Sequence, residues 1–280
     1  MTAGTPARVL AAAVQMNSQD HVSANLASAS ELIRRAAGRG AELIVLPENF
    51  AFLSTSSETA KLAHAETVTL GTPAGPILKT IAALAEECKA WIVLGGMPEL
   101  GPDEHHIYNT CAVVSPDGQV RAAYRKIHLF DVVTPDGTEY RESRSVAAGT
   151  TPTVVETPWG GLGLSVCYDV RFPELYRRLA EQGARLLVVP SAFTLDTGKD
   201  HWHVLLRARA IENQAFILAP AQHGRHGEKR LTYGHSLIVD PWGTVLAEAA
   251  DGVGVAVAEL DFERQARVRS ILPALTHRRL

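Results

Sequence analysis

At 280 residues, with 46% hydrophobic and 20% charged side chains, the chain can bury a sizeable core and lacks the composition of a disordered protein. Its formal charge of -3 gives no global attraction for nucleic acid or an anionic membrane, so any anion site must be local. Three widely spaced cysteines make neither a disulfide framework nor a paired-thiol zinc pattern, and they fit a reducing, cytoplasmic setting. The opening MTAGTPARVLAAAVQM is a poor signal peptide, its short apolar run being broken by Gln15, and no uncharged run approaches membrane-spanning length.

In chain order, VLAAAVQM reads as a buried strand and ANLASASELIRRAAGRG as a helix closed by Gly38 and Gly40. ELIVLPE is a second strand, GPILKTIAALAEECKA a second helix and WIVLGGMPE a third strand, a rhythm that implies crossover connections. CAVVSPDGQVRAAYRK departs from it, since Pro116-Asp117-Gly118 is turn chemistry and predicts a hairpin. GLGLSVC, PELYRRLAEQGA, RLLVVPSA, DHWHVLLRARAIENQ and AFILAPAQ then alternate strand and helix, and GHSLIVDPWGTVLAEA predicts a second hairpin turning at DPWG. The class is α/β with mixed sheets. No internal repeat or linker appears, and the irregular stretch from 131 to 153 reads as a loop over a site, so residues 1–280 are expected to form a single domain.

Three apolar runs deliver a reactive side chain at their C-terminal ends: LIVLPE delivers Glu48, QVRAAYRK delivers Lys126 and LGLSVC delivers Cys167. In α/β sheets such ends border the crevice where ligands bind. Together the trio suits acyl transfer. The thiol is a nucleophile that a neighbouring ammonium would shift toward thiolate, the carboxylate can take its proton, and the ammonium can face an oxyanion. A thiol activated in this way would be labelled well below the pH expected of a free cysteine. The turn after Cys167 would add the Tyr168 backbone N–H as a second oxyanion donor. Taken singly, each residue also has an ordinary reading: a buried small hydrophobe for Cys167, a helix N-terminal carboxylate for Glu48, an edge-strand charge for Lys126.

Other features carry less. Cys88, on a helix, and Cys111, in a strand, read as core. His201 and His203 flank Trp202, but an i, i+2 pair faces two sides of a helix and no HExxH or CxxC accompanies it, so no metal is assigned. GGLGLSV contains a GxG that precedes a strand rather than a helix, which removes the dinucleotide reading, and no cofactor is expected.

Glu48 in LPENF, Lys126 in YRKIHLFD and Cys167 in GLSVCYDVRFPEL resemble, in order and spacing, the three signature motifs of the nitrilase superfamily of carbon-nitrogen hydrolases. The resemblance runs on through PSAF, HWHVLLRARAIENQ, YGHSLIVDPWG and the terminal HRR. It implies a four-layer αββα sandwich, a Glu-Lys-Cys triad acting through a thioester, and a second pocket glutamate whose counterpart by position is Glu142 in YRESRS. It also implies a homodimer formed through the helices in PELYRRLAEQG and LLRARAIEN.

Within the superfamily, CYDVRFPEL and AQHGRHGEKRLTYGHS look most like the Nit group, which hydrolyses deaminated glutathione; omega-amidases acting on keto acid monoamides share YRKIHLFD. A true nitrilase, or a catalytically silent protein of the same fold, is the further alternative. A small amide bearing carboxylates at both ends calls for cations. Arg171 is the candidate for the keto-acid end, and Arg225, Lys229 and Arg230 are candidates for the glycine end.

Overall fold

The computed structural model describes residues 6–54, 60–134, 137–228 and 230–279. The first half runs β1 (Arg8–Gln15), α1 (Val22–Ala37), β2 (Leu43–Val45), α2 (Pro76–Cys88), β3 (Trp91–Leu100), β4 (Ile107–Val114) and β5 (Val120–Arg125). A small hairpin follows, β6 (Asp131–Val133) and β7 (Glu139–Arg141). The second half has β8 (Val154–Thr157), β9 (Gly160–Gly163), α3 (Pro173–Glu181), β10 (Ala184–Val188), α4 (Leu195–Asn213) and β11 (Phe216–Ala219). It ends with β12 (His223–His226), β13 (Arg230–Tyr233), β14 (Leu237–Val239), β15 (Val245–Glu248), β16 (Gly254–Asp261) and α5 (Phe262–Ile271).

Two six-stranded sheets result, ordered β16-β1-β2-β3-β4-β5 and β15-β14-β11-β10-β9-β8. In each, three central strands run parallel (β1, β2, β3 and β9, β10, β11) while the flanking pairs are antiparallel, the mixture expected when helical crossovers and hairpins share a chain.

Strand alternation builds the layers. Ala11, Ala13, Leu43, Val45, Val93 and Val113 point into one core with Leu186 and Leu218 of the second sheet. Their neighbours Ala12, Val14, Ile44, Ile92, Leu94 and Val114 point the other way, against α1 and α2. α1 meets them with Ala29, Leu32, Ile33 and Ala36, one stripe at helical spacing, and each large side chain so buried contributes about 1.5–3 kcal/mol. Leu175 and Leu179 of α3 and Trp202, Leu206 and Ala210 of α4 cover the far face of the second sheet. The order is helices, sheet, sheet, helices: a four-layer αββα sandwich.

Three segments differ from the sequence expectations. α4 starts at Leu195, ahead of DHWHV, because Gly198 in its first turn lies where a Cβ would be 2.3 Å from that of Tyr233; the glycine that weakens a helix signal is needed for this approach. The 131–153 stretch is partly regular, holding β6, β7 and a 3-10 turn at Glu142–Arg144. His223–His226 and Arg230–Tyr233, which carry Arg225 and Arg230, pair as an antiparallel hairpin with His226 opposite Arg230. Cys111 is buried in the inter-sheet core, as expected, and Cys88 is half-buried at the edge of the core beneath α1 and α2.

Candidate active site

Glu48 follows β2 at the point where β3 bulges between Leu94 and Met97. The bulge carries Gly95 and Gly96 because there is no room for more: a Cβ on Gly95 would lie 1.9 Å from the Leu46 carbonyl oxygen, and one on Gly96 would lie 2.6 Å from Asn109 Oδ1. Lys126 is the residue after β5, and its N–H donates to the Asn109 carbonyl at 2.9 Å. Cys167 opens a 3-10 turn, Cys167–Arg171, with φ of 48°, a left-handed conformation that costs a non-glycine residue about 1–2 kcal/mol.

Asp169 holds that turn in place. Its Oδ2 accepts from Val166 N and Tyr124 Oη, both at 2.8 Å, and its Oδ1 from His128 N at 3.1 Å and His128 Nδ1 at 2.7 Å. One fully buried carboxylate thus fastens the Cys167 turn to the chain on either side of Lys126. The Cys167 N–H donates to the Pro190 carbonyl at 2.9 Å, a tie to the strand end after β10.

The three sequence candidates converge. Lys126 Nζ donates to Glu48 Oε1 at 3.2 Å and to Glu142 Oε2 at 2.7 Å, and the Cys167 thiol lies beside Glu48, close enough for each to shift the other's titration. Glu48 also accepts from Asn109 Nδ2 at 2.9 Å and, through Oε2, from the Ala192 N–H at 2.9 Å. Glu142 is held in turn by the Phe130 N–H at 2.7 Å. Glu48, Lys126 and Cys167 are all buried.

Burial alone would raise the Glu48 carboxyl, but the Lys126 ammonium, with help from Arg230 and Lys61, brings it down to about 2. Burial alone would lower Lys126, but Glu142 and Glu48 hold it above the ordinary lysine range. Cys167 departs from the sequence expectation. Burial first and the Glu48 charge second push its thiol above the ordinary cysteine range, and Lys126 does not outweigh them. At rest Cys167 is thus a thiol beside an ionised carboxylate rather than a preformed thiolate.

A cavity of about 480 Å³ opens over this trio. Its lining includes Glu142, Tyr168, Arg171 and Arg230, so four further sequence candidates reach it. Arg171 lies over the Phe193 ring, 5.1 Å from the centroid, with Nη1 3.2 Å from His201 Nδ1. Arg230 donates through Nη2 to the Ala192 carbonyl at 3.0 Å, and its buried Nε has no protein partner. Arg225 does not line the cavity: it is exposed on β12 and donates to the Glu228 carbonyl at 2.9 Å. Strand alternation explains the difference, because the inward residue is its neighbour His226. Burial takes His226 down to about 4, so it is neutral, donating from Nδ1 to Ser18 O and accepting at Nε2 from Thr232, each at 2.7 Å. Lys229 lies outside the described residues.

Sequence reading missed four contributors. Asn109 and Asp169 act through hydrogen bonds to residues far away in the chain, and the Ala192 N–H is a backbone group that no motif announces. Lys61, on a 3-10 turn at Ala60–His64, lines the cavity with Nζ 3.0 Å from Asn49 Oδ1; burial, opposed by Glu142 and Glu48, lowers its pKa. His203 turns away from His201 and toward His235 and Glu248, outside the cavity lining.

With this geometry in hand, comparison with known proteins is direct. The family model for carbon-nitrogen hydrolases matches residues 10–270. A protein of Synechocystis sp. (strain PCC 6803 / GT-S) named deaminated glutathione amidase is 49% identical over 272 residues, covering 96% of this chain and 97% of its own. The crystal structure of Saccharomyces cerevisiae Nit3, of branch 10 of the nitrilase superfamily, superposes with a TM-score of 0.88 at 33% identity, covering 100% of both chains. An amidase variant from Nesterenkonia sp. AN1, whose active-site cysteine carries the acetamide moiety of fluoroacetamide, superposes at 0.78 with 26% identity, covering 97% of this chain and 94% of that one. The chain belongs to the carbon-nitrogen hydrolase family of the nitrilase superfamily.

Proposed function

We propose that this protein is a thiol amidase that hydrolyses deaminated glutathione through a Cys167 thioester, with Glu48 and Lys126 completing the triad. The observation that carries the substrate reading is charge. Five cations (Lys61, Lys126, Arg141, Arg171 and Arg230) and three carboxylates (Glu48, Glu139 and Glu142) line the cavity among the described residues, a surplus of two positive charges. Deaminated glutathione carries two carboxylates, whereas a keto acid monoamide carries one. Arg171 takes the keto-acid end in this reading. Arg230 and Lys61, which oppose each other's charge in the empty cavity, take the glycine end.

The Lys126 ammonium and the Tyr168 N–H face the amide oxygen, and the latter, in the first turn of a helix, has no intrahelical acceptor. As the oxygen gains charge it draws on the ammonium, and Glu48 loses part of the interaction that kept it acidic. Burial then raises its basicity at the moment it takes the thiol proton. Sγ bonds to the carbonyl carbon. The C–N bond breaks as Glu48 returns that proton to the amine of cysteinylglycine. A water, deprotonated by Glu48, attacks the thioester; the C–S bond breaks, the acid leaves and the thiolate recovers its proton from Glu48. Glu142 acts as a positioning residue, accepting from Lys126 Nζ at 2.7 Å and so fixing where the ammonium points.

The experiment compares kcat/KM for deaminated glutathione and α-ketoglutaramate in the wild type and in Lys61→Met. We expect the wild type to prefer the dianion. The variant should raise KM for the dianion about 10-fold or more, the scale of one charge-assisted hydrogen bond, while leaving kcat and the monoamide values nearly unchanged. Preference for the monoamide would make the protein an omega-amidase; equal KM effects on both substrates would remove Lys61 from the glycine end.

The pH profile follows from the same groups. Glu48, Lys126 and Cys167 are all displaced away from neutrality, so none should contribute a limb to kcat/KM between about pH 5 and about pH 8. Burial lowers the Lys61 pKa, and its deprotonation would remove a binding charge, so an alkaline limb that this group causes should vanish in Lys61→Met. A neutral-pH limb that persists in that variant would refute the assignment.

The shared inter-sheet core supports a single domain over residues 1–280. A free catalytic thiol fits a cytoplasmic setting, and no described helix is long and apolar enough to cross a membrane. A homodimer fits the exposed Val204 and Ile211 of α4, with Ile211 abutting Gly243 beside the exposed Trp242. Light scattering should give twice the chain mass, and Ile211→Asp should give one; a monomeric wild type would dismiss the dimer.

A further inference from the structure

We propose that His203, His235 and Glu248 form a binding site for a borderline divalent cation such as Zn2+, separate from the amidase cavity and independent of the substrate reading. The three side chains come from α4, from the turn between β13 and β14, and from the end of β15. His203 Nε2 lies 3.0 Å and His235 Nδ1 2.7 Å from the same Glu248 oxygen, and the three ligand atoms are all within 4.8 Å of one another. In a tetrahedral zinc site, bonds of about 2.0–2.1 Å place ligand atoms about 3.4 Å apart. Both nitrogen–oxygen distances are already inside that value, so only modest side-chain rotation is needed to admit the ion.

The surroundings suit a metal as well as the ligands do. Tyr233 stacks on His235 at 4.4 Å between ring centroids and fixes the plane of the imidazole. His235 Nε2, on the side away from the ligand atom, lies 3.9 Å from Asp251 Oδ1, an ion-pair distance from which a small side-chain movement would bring the carboxylate to hydrogen-bond and orient the ring. All three side chains are about one-third exposed, which leaves access for the ion and room for a water as fourth ligand. Two imidazoles select Zn2+, Co2+ or Ni2+ over Ca2+ and Mg2+, which take oxygen ligands. A bound ion would add to the ties between α4 and the segment from His235 to Glu248, which already include Trp202 Nε1 donating to the His235 carbonyl at 2.9 Å and Arg207 Nε donating to the Gly243 carbonyl at 2.8 Å.

The test uses tag-free, chelator-washed protein titrated with Co2+ and then Zn2+. We expect one equivalent of Co2+ with the intense visible bands of a four- or five-coordinate ion, displaced by Zn2+ at micromolar concentration, and a thermal midpoint raised by Zn2+. His203→Gln and His235→Asn remove one ligand each, the asparagine being chosen because position 235 has φ of 57° and asparagine tolerates that backbone. Each should weaken binding by more than about 100-fold, and Asp251→Asn by about 10-fold. Amidase turnover in chelator should remain at the wild-type level in all three, which confirms that they fold. A weak octahedral cobalt spectrum, or one equivalent still bound by the double histidine variant, would overturn the proposal.

Discussion

Cys167→Ala should abolish turnover and leave the fold intact. The expected fall in kcat is about 10⁶-fold, the scale seen when a covalent nucleophile is removed and only binding and oxyanion contacts remain. Folding should be spared for local reasons. The turn is held by Asp169, by the Cys167 N–H to Pro190 and by Arg209 Nε to the Val170 carbonyl, none of which involves the sulfur. Glu48 loses its thiol neighbour and keeps the hydrogen bonds from Asn109, Lys126 and Ala192. Alanine at φ of 48° is no more strained than cysteine, so the denaturation midpoint should change little. A variant with kcat within tenfold of the wild type would remove Cys167 from the chemistry. One that is inactive and unfolded would show that the turn depends on the thiol after all.

Most of the architecture was readable from the sequence because it rests on long apolar runs. β1, α1, α2 and β3 lie within three residues of their expected bounds, since each buries a stripe or a face that periodicity reports directly. The hairpin of β12 and β13 was invisible for the opposite reason: HGRH and RLTY alternate histidine, arginine and threonine, and burial there rests on hydrogen bonds to Ser18 and Thr232 rather than on apolar area. That is why Arg225 and Arg230, alike in sequence, end up outside and inside the cavity.

The site divides in the same manner. Glu48, Lys126 and Cys167 stand at or just beyond the ends of apolar runs and announce themselves. Asp169, Asn109 and Lys61 are polar residues whose importance depends on partners that only the folded chain brings near. The thiol's raised pKa was equally out of reach, because it depends on how completely the trio is buried, a property of the packed sheets.

Lys126→Ala tests the electrostatic argument twice. Loss of a principal oxyanion stabiliser should lower kcat by about two to three orders of magnitude. The second effect is on stability. In the wild type the Glu48 pKa is depressed from 4.5 to about 2, so its contribution is present above about pH 4.5 and is lost as pH falls toward 2. Without the ammonium, burial is the leading influence that remains on Glu48, and buried Glu48 and half-buried Glu142 lose their common counterion. Breaking such a pair costs about 3–5 kcal/mol when the remaining charge stays ionised. Glu48 will instead favour a proton, its folded pKa rising above the unfolded value. For that group the sign reverses: the folded state then binds more protons than the unfolded one, and stability falls as pH rises from about 4.5 upward. Chemical denaturation of both proteins between about pH 4 and about pH 7 should therefore show the variant's deficit widening with pH. A deficit that stays constant, together with near-normal kcat, would mean that Lys126 neither balances Glu48 nor meets the oxyanion, and the buried ammonium would be left as packing alone.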